Sequence, residues 1–243
     1  MKLTKWKIFR LIYVTAGVSF IGWMWFSMQA TSNAYSFLAG NQSIIVSETK
    51  DLISFTPAIA YKAVFIFYPG ALVDPVAYAP ICRQIADSGY KVQLIKMPWR
   101  LATKGYNKPK ALKLFDDSSK VYILSGHSQG GKMAAQFVYE NPGLVDQLIL
   151  IGTTHPRDID LSGLKIPVMK ISGSKDGVAN ITDVISNKIK LPSRTKYVEI
   201  KGANHAQFGY YGTQIGDDKA TISRELQHKI VSTSILSFIQ SNL

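Results

Sequence analysis

At 243 residues and 47% hydrophobic content, the chain is long enough for one large domain with a substantial core. Its single cysteine, Cys82, excludes an intrachain disulfide framework and offers no metal site. The net charge of +12 does not imply nucleic acid: Lys2, Lys5, Lys7 and Arg10 supply four charges at the extreme N-terminus, and the remaining +8 is scattered without a recognition motif.

Leu11 to Met28, LIYVTAGVSFIGWMWFSM, is uncharged over 18 residues, and no charge follows Arg10 until Glu48. With Ile8 and Phe9 it approaches the roughly 20 residues that cross a bilayer as a helix. Trp6 on one side and Trp23 and Trp25 on the other suit the two interfaces, and the basic cluster before it keeps the N-terminus cytoplasmic. The expected localisation is a single-pass membrane protein with the rest of the chain outside. A cleaved signal peptide, with Ser32-Asn33-Ala34 near the cut, is the alternative and gives a secreted protein.

This divides the chain into an anchor (1–28), a small polar tether (29–42) and one domain (43–243). Ser43 to Ser47 and Leu52 to Phe55 read as a hairpin at a sheet edge. From Lys62 onward strands and helices alternate, the pattern of an α/β fold with a mostly parallel sheet and helices on both faces. Strands are expected at 63–68, 91–96, 121–125, 147–151, 168–172 and 197–200. Helices are expected at 75–88, 108–117, 130–141, 181–190 and 220–241, with Asp74 capping the first and Gly89 closing it. Only 16 residues separate the strands ending at Ile151 and starting at Val168, too few for a large lid.

Within this order, Val121 to Ala135, VYILSGHSQGGKMAA, reads as a buried strand, a very tight turn and a helix. Gly126-His127-Ser128-Gln129-Gly130 fits the G-x-S-x-G nucleophile elbow, which lifts a serine hydroxyl clear of the sheet and aims the first helical N–H groups at an oxyanion. Such a hydroxyl needs a histidine to take its proton and a carboxylate to hold the imidazolium. Those partners belong on loops at the carboxyl ends of the strands. Asp176, after the strand ending at Ser172, and His205, after the strand ending at Ile200, meet that condition in the required order.

Other histidines fit less well. His127 precedes the serine and should point away from it, His155 follows an earlier strand, and His228 falls within the last helix. For the oxyanion, the backbone N–H of Gln129 is one expected donor. The loop Tyr68-Pro69-Gly70-Ala71-Leu72-Val73 supplies the other, Ala71 N–H or, in an alternative register, Leu72 N–H.

With these residues in view, the chain from about 60 to 240 resembles the α/β-hydrolase superfamily, and within it the α/β hydrolase fold-5 group related to the dienelactone hydrolases. The resemblance is carried by Phe67-Tyr68-Pro69-Gly70 with Tyr78-Ala79-Pro80, by GHSQGG at 126–131, SGSKDG at 172–177, and NHAQFGYYGTQIGDD at 204–218 followed by ATIS. It implies an α/β-hydrolase fold with a Ser128, Asp176, His205 triad and hydrolysis of carboxylic esters without a cofactor. Many relatives carry a second glycine where Ala71 stands, and dienelactone hydrolases proper use cysteine where this chain has Ser128, so the dienelactone substrate is not carried over. Expected partners are a small-molecule ester and the membrane, not nucleic acid. An acyltransferase with the same triad and a non-catalytic surface-binding protein are the competing readings.

Overall fold

The β-branched and aromatic runs of the sequence become eight strands of one sheet in the computed structural model, which describes residues 4–243. Lys2 lies outside the described residues. The strands are β1 (Ile44–Glu48), β2 (Leu52–Pro57), β3 (Ala63–Tyr68), β4 (Lys91–Ile95), β5 (Val121–His127), β6 (Gln147–Ile151), β7 (Val168–Gly173) and β8 (Lys196–Ile200). Their spatial order is β1-β2-β4-β3-β5-β6-β7-β8. The hairpin β1–β2 is the antiparallel edge, β2 also runs antiparallel to β4, and every later pairing is parallel.

Alternation along each strand feeds two cores, because successive side chains leave opposite faces of a sheet. On one face Phe65, Phe67, Val92, Leu94 and Ile123 pack beneath α3 (Ala79–Asp87) and α7 (Arg224–Gln240), where Ile81, Ile85, Val231 and Ile235 are buried. On the other, Val64, Ile66, Leu124, Leu148 and Leu150 meet Met133, Phe137 and Val138 of α5 (Gln129–Glu140). Each such side chain stabilises the fold by about 1.5–3 kcal/mol through burial. The connection from β6 to β7 contains no helix, and holds no large lid, as its length predicts.

Helix boundaries depart from expectation where the backbone turns left-handed or tightens. The Asp74 carboxylate accepts from Val76 N–H at 3.0 Å, as a cap should, but the turn Pro75–Tyr78 is a 3-10 turn and α3 begins only at Ala79. The helix expected over 108–117 shrinks to α4 (Lys108–Ala111), since Lys113 holds φ 57°. Over 181–190, α6 (Ile181–Ser186) stops early, and Lys188–Lys190 forms a separate 3-10 turn.

The N-terminal segment forms α1 (Lys5–Ser27), 23 residues capped by the Thr4 hydroxyl, with none of its residues buried. It is long and apolar enough to cross a membrane by length and composition. A short α2 (Ser32–Tyr35) follows. Within residues 29–42, Ala34 is fully buried, and Phe37 and Leu38 pack against the core.

Candidate active site

Strand β5 ends in a turn that only two glycines permit. Ser128 holds φ 54° and ψ −119° between β5 and the first residue of α5, a strained conformation that costs on the order of 1–3 kcal/mol. A Cβ at Gly130 would stand 2.1 Å from the Tyr68 carbonyl oxygen, and one at Gly126 would stand 2.4 Å from the Gly130 carbonyl carbon. Backbone rather than flexible side chain fills both places, so helix and sheet approach as closely as the elbow requires.

The loop after β7 brings Asp176, and the loop after β8 brings His205, into one buried pair. His205 Nδ1 lies 2.9 and 3.0 Å from the two Asp176 carboxylate oxygens. Asp176 Oδ1 also accepts from the N–H groups of Val178 and Ala179, at 3.0 and 2.6 Å. These acceptor contacts place the imidazole hydrogen on Nδ1 in the neutral ring and leave the Nε2 lone pair free. His205 Nε2 is buried and has no hydrogen-bond partner among the described residues.

Ser128 and His205 line the same cavity of about 250 Å³, together with Gln129, Lys132, Gly152, Thr153, Thr154, His155, Val178 and Ala179. No hydrogen bond joins the serine hydroxyl to Nε2 among the described residues. Such contacts are often long in the uncomplexed state and tighten with substrate.

The two expected oxyanion donors differ in what surrounds them. Gln129 opens α5, so its N–H has no acceptor within the helix. In the β3 loop, Pro69 has no N–H, Gly70 N–H donates to the Tyr78 hydroxyl at 3.1 Å, and Leu72 N–H donates to the Arg100 carbonyl at 2.8 Å. Leu72 N–H is therefore committed, while Ala71 N–H and Val73 N–H have no acceptor among the described residues.

Three supports of the pair were not singled out by sequence reasoning. Asp217 accepts from the N–H groups of His205 (3.0 Å), Ala206 (2.8 Å) and Gly177 (3.3 Å), tying the histidine loop to the acid loop. Gln227, fully buried on α7, exchanges two hydrogen bonds with the Asn204 backbone beside the histidine. Tyr78 places its hydroxyl 2.8 Å from His127 Nδ1. Asp217 and Tyr78 both fall in segments that carry the family resemblance, which was the available signal.

His127 is absent from the cavity lining, as its position before the serine predicts, yet its ring lies 4.5 Å from that of His205, centroid to centroid. Burial first, then the nearby His205 and His228, lowers its pKa well below the usual histidine value. His155 does line the cavity, where burial and then the Lys132 charge depress its pKa to about 4. It stands at the site as a neutral ring. His228 is buried within α7.

A model of the alpha/beta hydrolase family matches residues 64–229. The chain belongs to that family. Solved structures similar to this hydrolase include Est1E from Butyrivibrio proteoclasticus, at 13% identity and TM-score 0.57, covering 82% of this chain and 100% of that one. A ferulic acid esterase from Streptomyces cinnamoneus aligns at 16% identity and TM-score 0.60, covering 77% and 69%. The carboxylesterase CesB from Bacillus subtilis aligns at 12% identity and TM-score 0.55, covering 87% and 96%. At these identities the likeness is one of fold. No curated protein matches the hydrolase in sequence.

Proposed function

We propose that this hydrolase is a serine esterase acting through an acyl-enzyme, with Ser128 as nucleophile, His205 as general base and acid, and Asp176 as the group that orients and stabilises the imidazolium. The observation that carries this reading is the buried Asp176–His205 pair, whose free Nε2 shares a cavity with a serine on a strained elbow. The esterase names of two structural neighbours agree with it.

In this mechanism Ser128 Oγ attacks the ester carbonyl carbon while its proton passes to His205 Nε2. The negative charge on the carbonyl oxygen is met by Gln129 N–H and Ala71 N–H, each worth about 100- to 1000-fold in rate. Collapse breaks the bond to the alcohol, which leaves with the proton from Nε2. Water then gives its proton to the same nitrogen, attacks the acyl-enzyme and releases the acid and the free serine.

We read α1 as a membrane anchor, with Lys5, Lys7 and Arg10 holding the N-terminus in the cytoplasm and the catalytic domain outside. The decisive experiment labels the full chain with a fluorophosphonate and assays short-chain nitrophenyl esters beside Ser128→Ala and His205→Ala. Each variant should lose labelling and at least about 1000-fold in kcat. An unlabelled wild type, or a Ser128→Ala protein with full turnover, sinks the assignment. Accessibility of single introduced cysteines beyond residue 30 to a membrane-impermeant reagent tests the orientation.

A further inference from the structure

The last turn of α1 is bonded directly to the loops that frame the active site. Met28 O accepts from Asp74 N–H at 2.9 Å, Ser27 O accepts from Gly212 N–H at 2.7 Å, and Thr31 N–H donates to Tyr210 O at 2.8 Å. The Ser27 hydroxyl donates to the Thr213 carbonyl. The Arg100 guanidinium lies 4.8 Å from the Trp25 ring centre and donates to Gln29 Oε1 and to Asp74.

Each anchor point belongs to a loop of the site. Asp74 ends the turn that holds Ala71, and Tyr210 to Thr213 continue the loop that carries His205. Arg100 belongs to the segment that donates Ala102 N–H to Gln129 Oε1 at 2.9 Å. These loops follow β3, β4 and β8 at the carboxyl end of the parallel strands, the end that carries Ser128, so the apolar helix ends at the same end of the sheet as the site.

Two of the same loops expose large apolar side chains. Trp99 is 86% exposed and Leu72 is 38% exposed, and both are held in left-handed conformations, φ 55° and 63°, that side-chain-bearing residues rarely adopt. The Leu72 N–H to Arg100 carbonyl bond joins their two loops, and the Arg100 guanidinium lies over Trp25. Tryptophan is favoured where hydrocarbon meets headgroups, and an exposed lysine, Lys104, follows on the same segment to meet anionic lipid.

We infer that the mouth of the active site rests on the bilayer surface that α1 leaves, through Trp99 and Leu72, and that the ester it takes is an amphiphile resident in that membrane. This rests on the esterase and membrane-anchor readings above. The occupant of the apolar rim is the lipid surface, because the rim is continuous with the one helix of the described residues that could cross it.

The test uses the full chain in nanodiscs of phosphatidylcholine and phosphatidylglycerol. An environment-sensitive fluorophore is attached at Trp99→Cys and, separately, at Ser119→Cys, an exposed site before β5, at the far end of that strand from Ser128. Lipids carrying a shallow spin label should quench the probe at 99 and leave the probe at 119 bright. Equal, weak quenching at both positions overturns the membrane contact.

The second arm compares nitrophenyl butyrate from solution with nitrophenyl palmitate dissolved in the disc. Trp99→Asp should lower kcat/KM for palmitate about tenfold more than for butyrate. Equal losses on both, or hydrolysis of butyrate alone by the wild type, overturns the membrane-resident substrate while leaving the esterase reading intact. Failure of the wild type on both esters, with no fluorophosphonate labelling, sinks the esterase reading and the substrate class with it.

Discussion

The ring of His127 lies 4.5 Å from that of His205, and its Nδ1 is 2.8 Å from the Tyr78 hydroxyl, so His205 packs against a second, buried histidine. The hydroxyl of Tyr78 accepts from Gly70 N–H and shares a hydrogen bond with His127 Nδ1, and burial raises its pKa. One chain of hydrogen bonds thus connects the Ala71 turn with the ring beneath His205.

Removing that hydroxyl strands two buried groups at once. Tyr78→Phe should cost about 2–4 kcal/mol in stability, from one unpaired Gly70 N–H and one unpaired imidazole nitrogen. It should also lower kcat about tenfold as the oxyanion turn loosens. Chemical denaturation and ester kinetics check the two effects, and a Phe variant with unchanged stability and kcat would remove Tyr78 from the account.

Asp217 acts on the pair without touching substrate. In Asp217→Asn, an amide NH₂ would replace one of the two oxygens that accept from His205, Ala206 and Gly177. The donor clash frees both loops, so kcat and the rate of fluorophosphonate labelling should fall together, about tenfold or more, with KM little changed. A change confined to KM would mean that Asp217 does not position His205.

Gly130→Ala tests the elbow by space alone. The added methyl would sit 2.1 Å from the Tyr68 carbonyl oxygen, a backbone atom of β3 that cannot swing aside. We expect a loss of at least about 3 kcal/mol in stability. Thermal unfolding within a degree of wild type would show that β3 and α5 can separate freely.

Buried histidines set the response to acid. Burial, then the Arg224 charge, lowers the His228 pKa to about 3, and His155 stands at about 4. The folded values lie below the unfolded value near 6.5, so below that pH the unfolded chain binds protons the folded chain refuses. Their contribution is full above pH 6.5 and is lost as pH falls towards 4, at up to about 1.4 kcal/mol per pH unit for each ring. Stability measured from pH 7 to 5 should fall, and His228→Phe should flatten the slope by one ring's share.

The amino-acid order by itself placed the strand, turn and helix around Ser128, because glycines at 126 and 130 leave a local chain few alternatives. It placed Asp176 and His205 by the same logic, as polar residues just beyond apolar runs that a parallel sheet brings to one end. Only tertiary contacts decided the rest. The Gly70 and Leu72 N–H groups are taken by Tyr78 and Arg100, and both acceptors lie outside the turn in sequence. Burial of Ala34 converts a polar-looking link into part of the core edge, and Lys113 cuts a helix that composition would have continued. His127 meets His205 across a gap of 77 sequence positions, a distance over which spacing carries no signal and only the closing of the sheet brings two rings together.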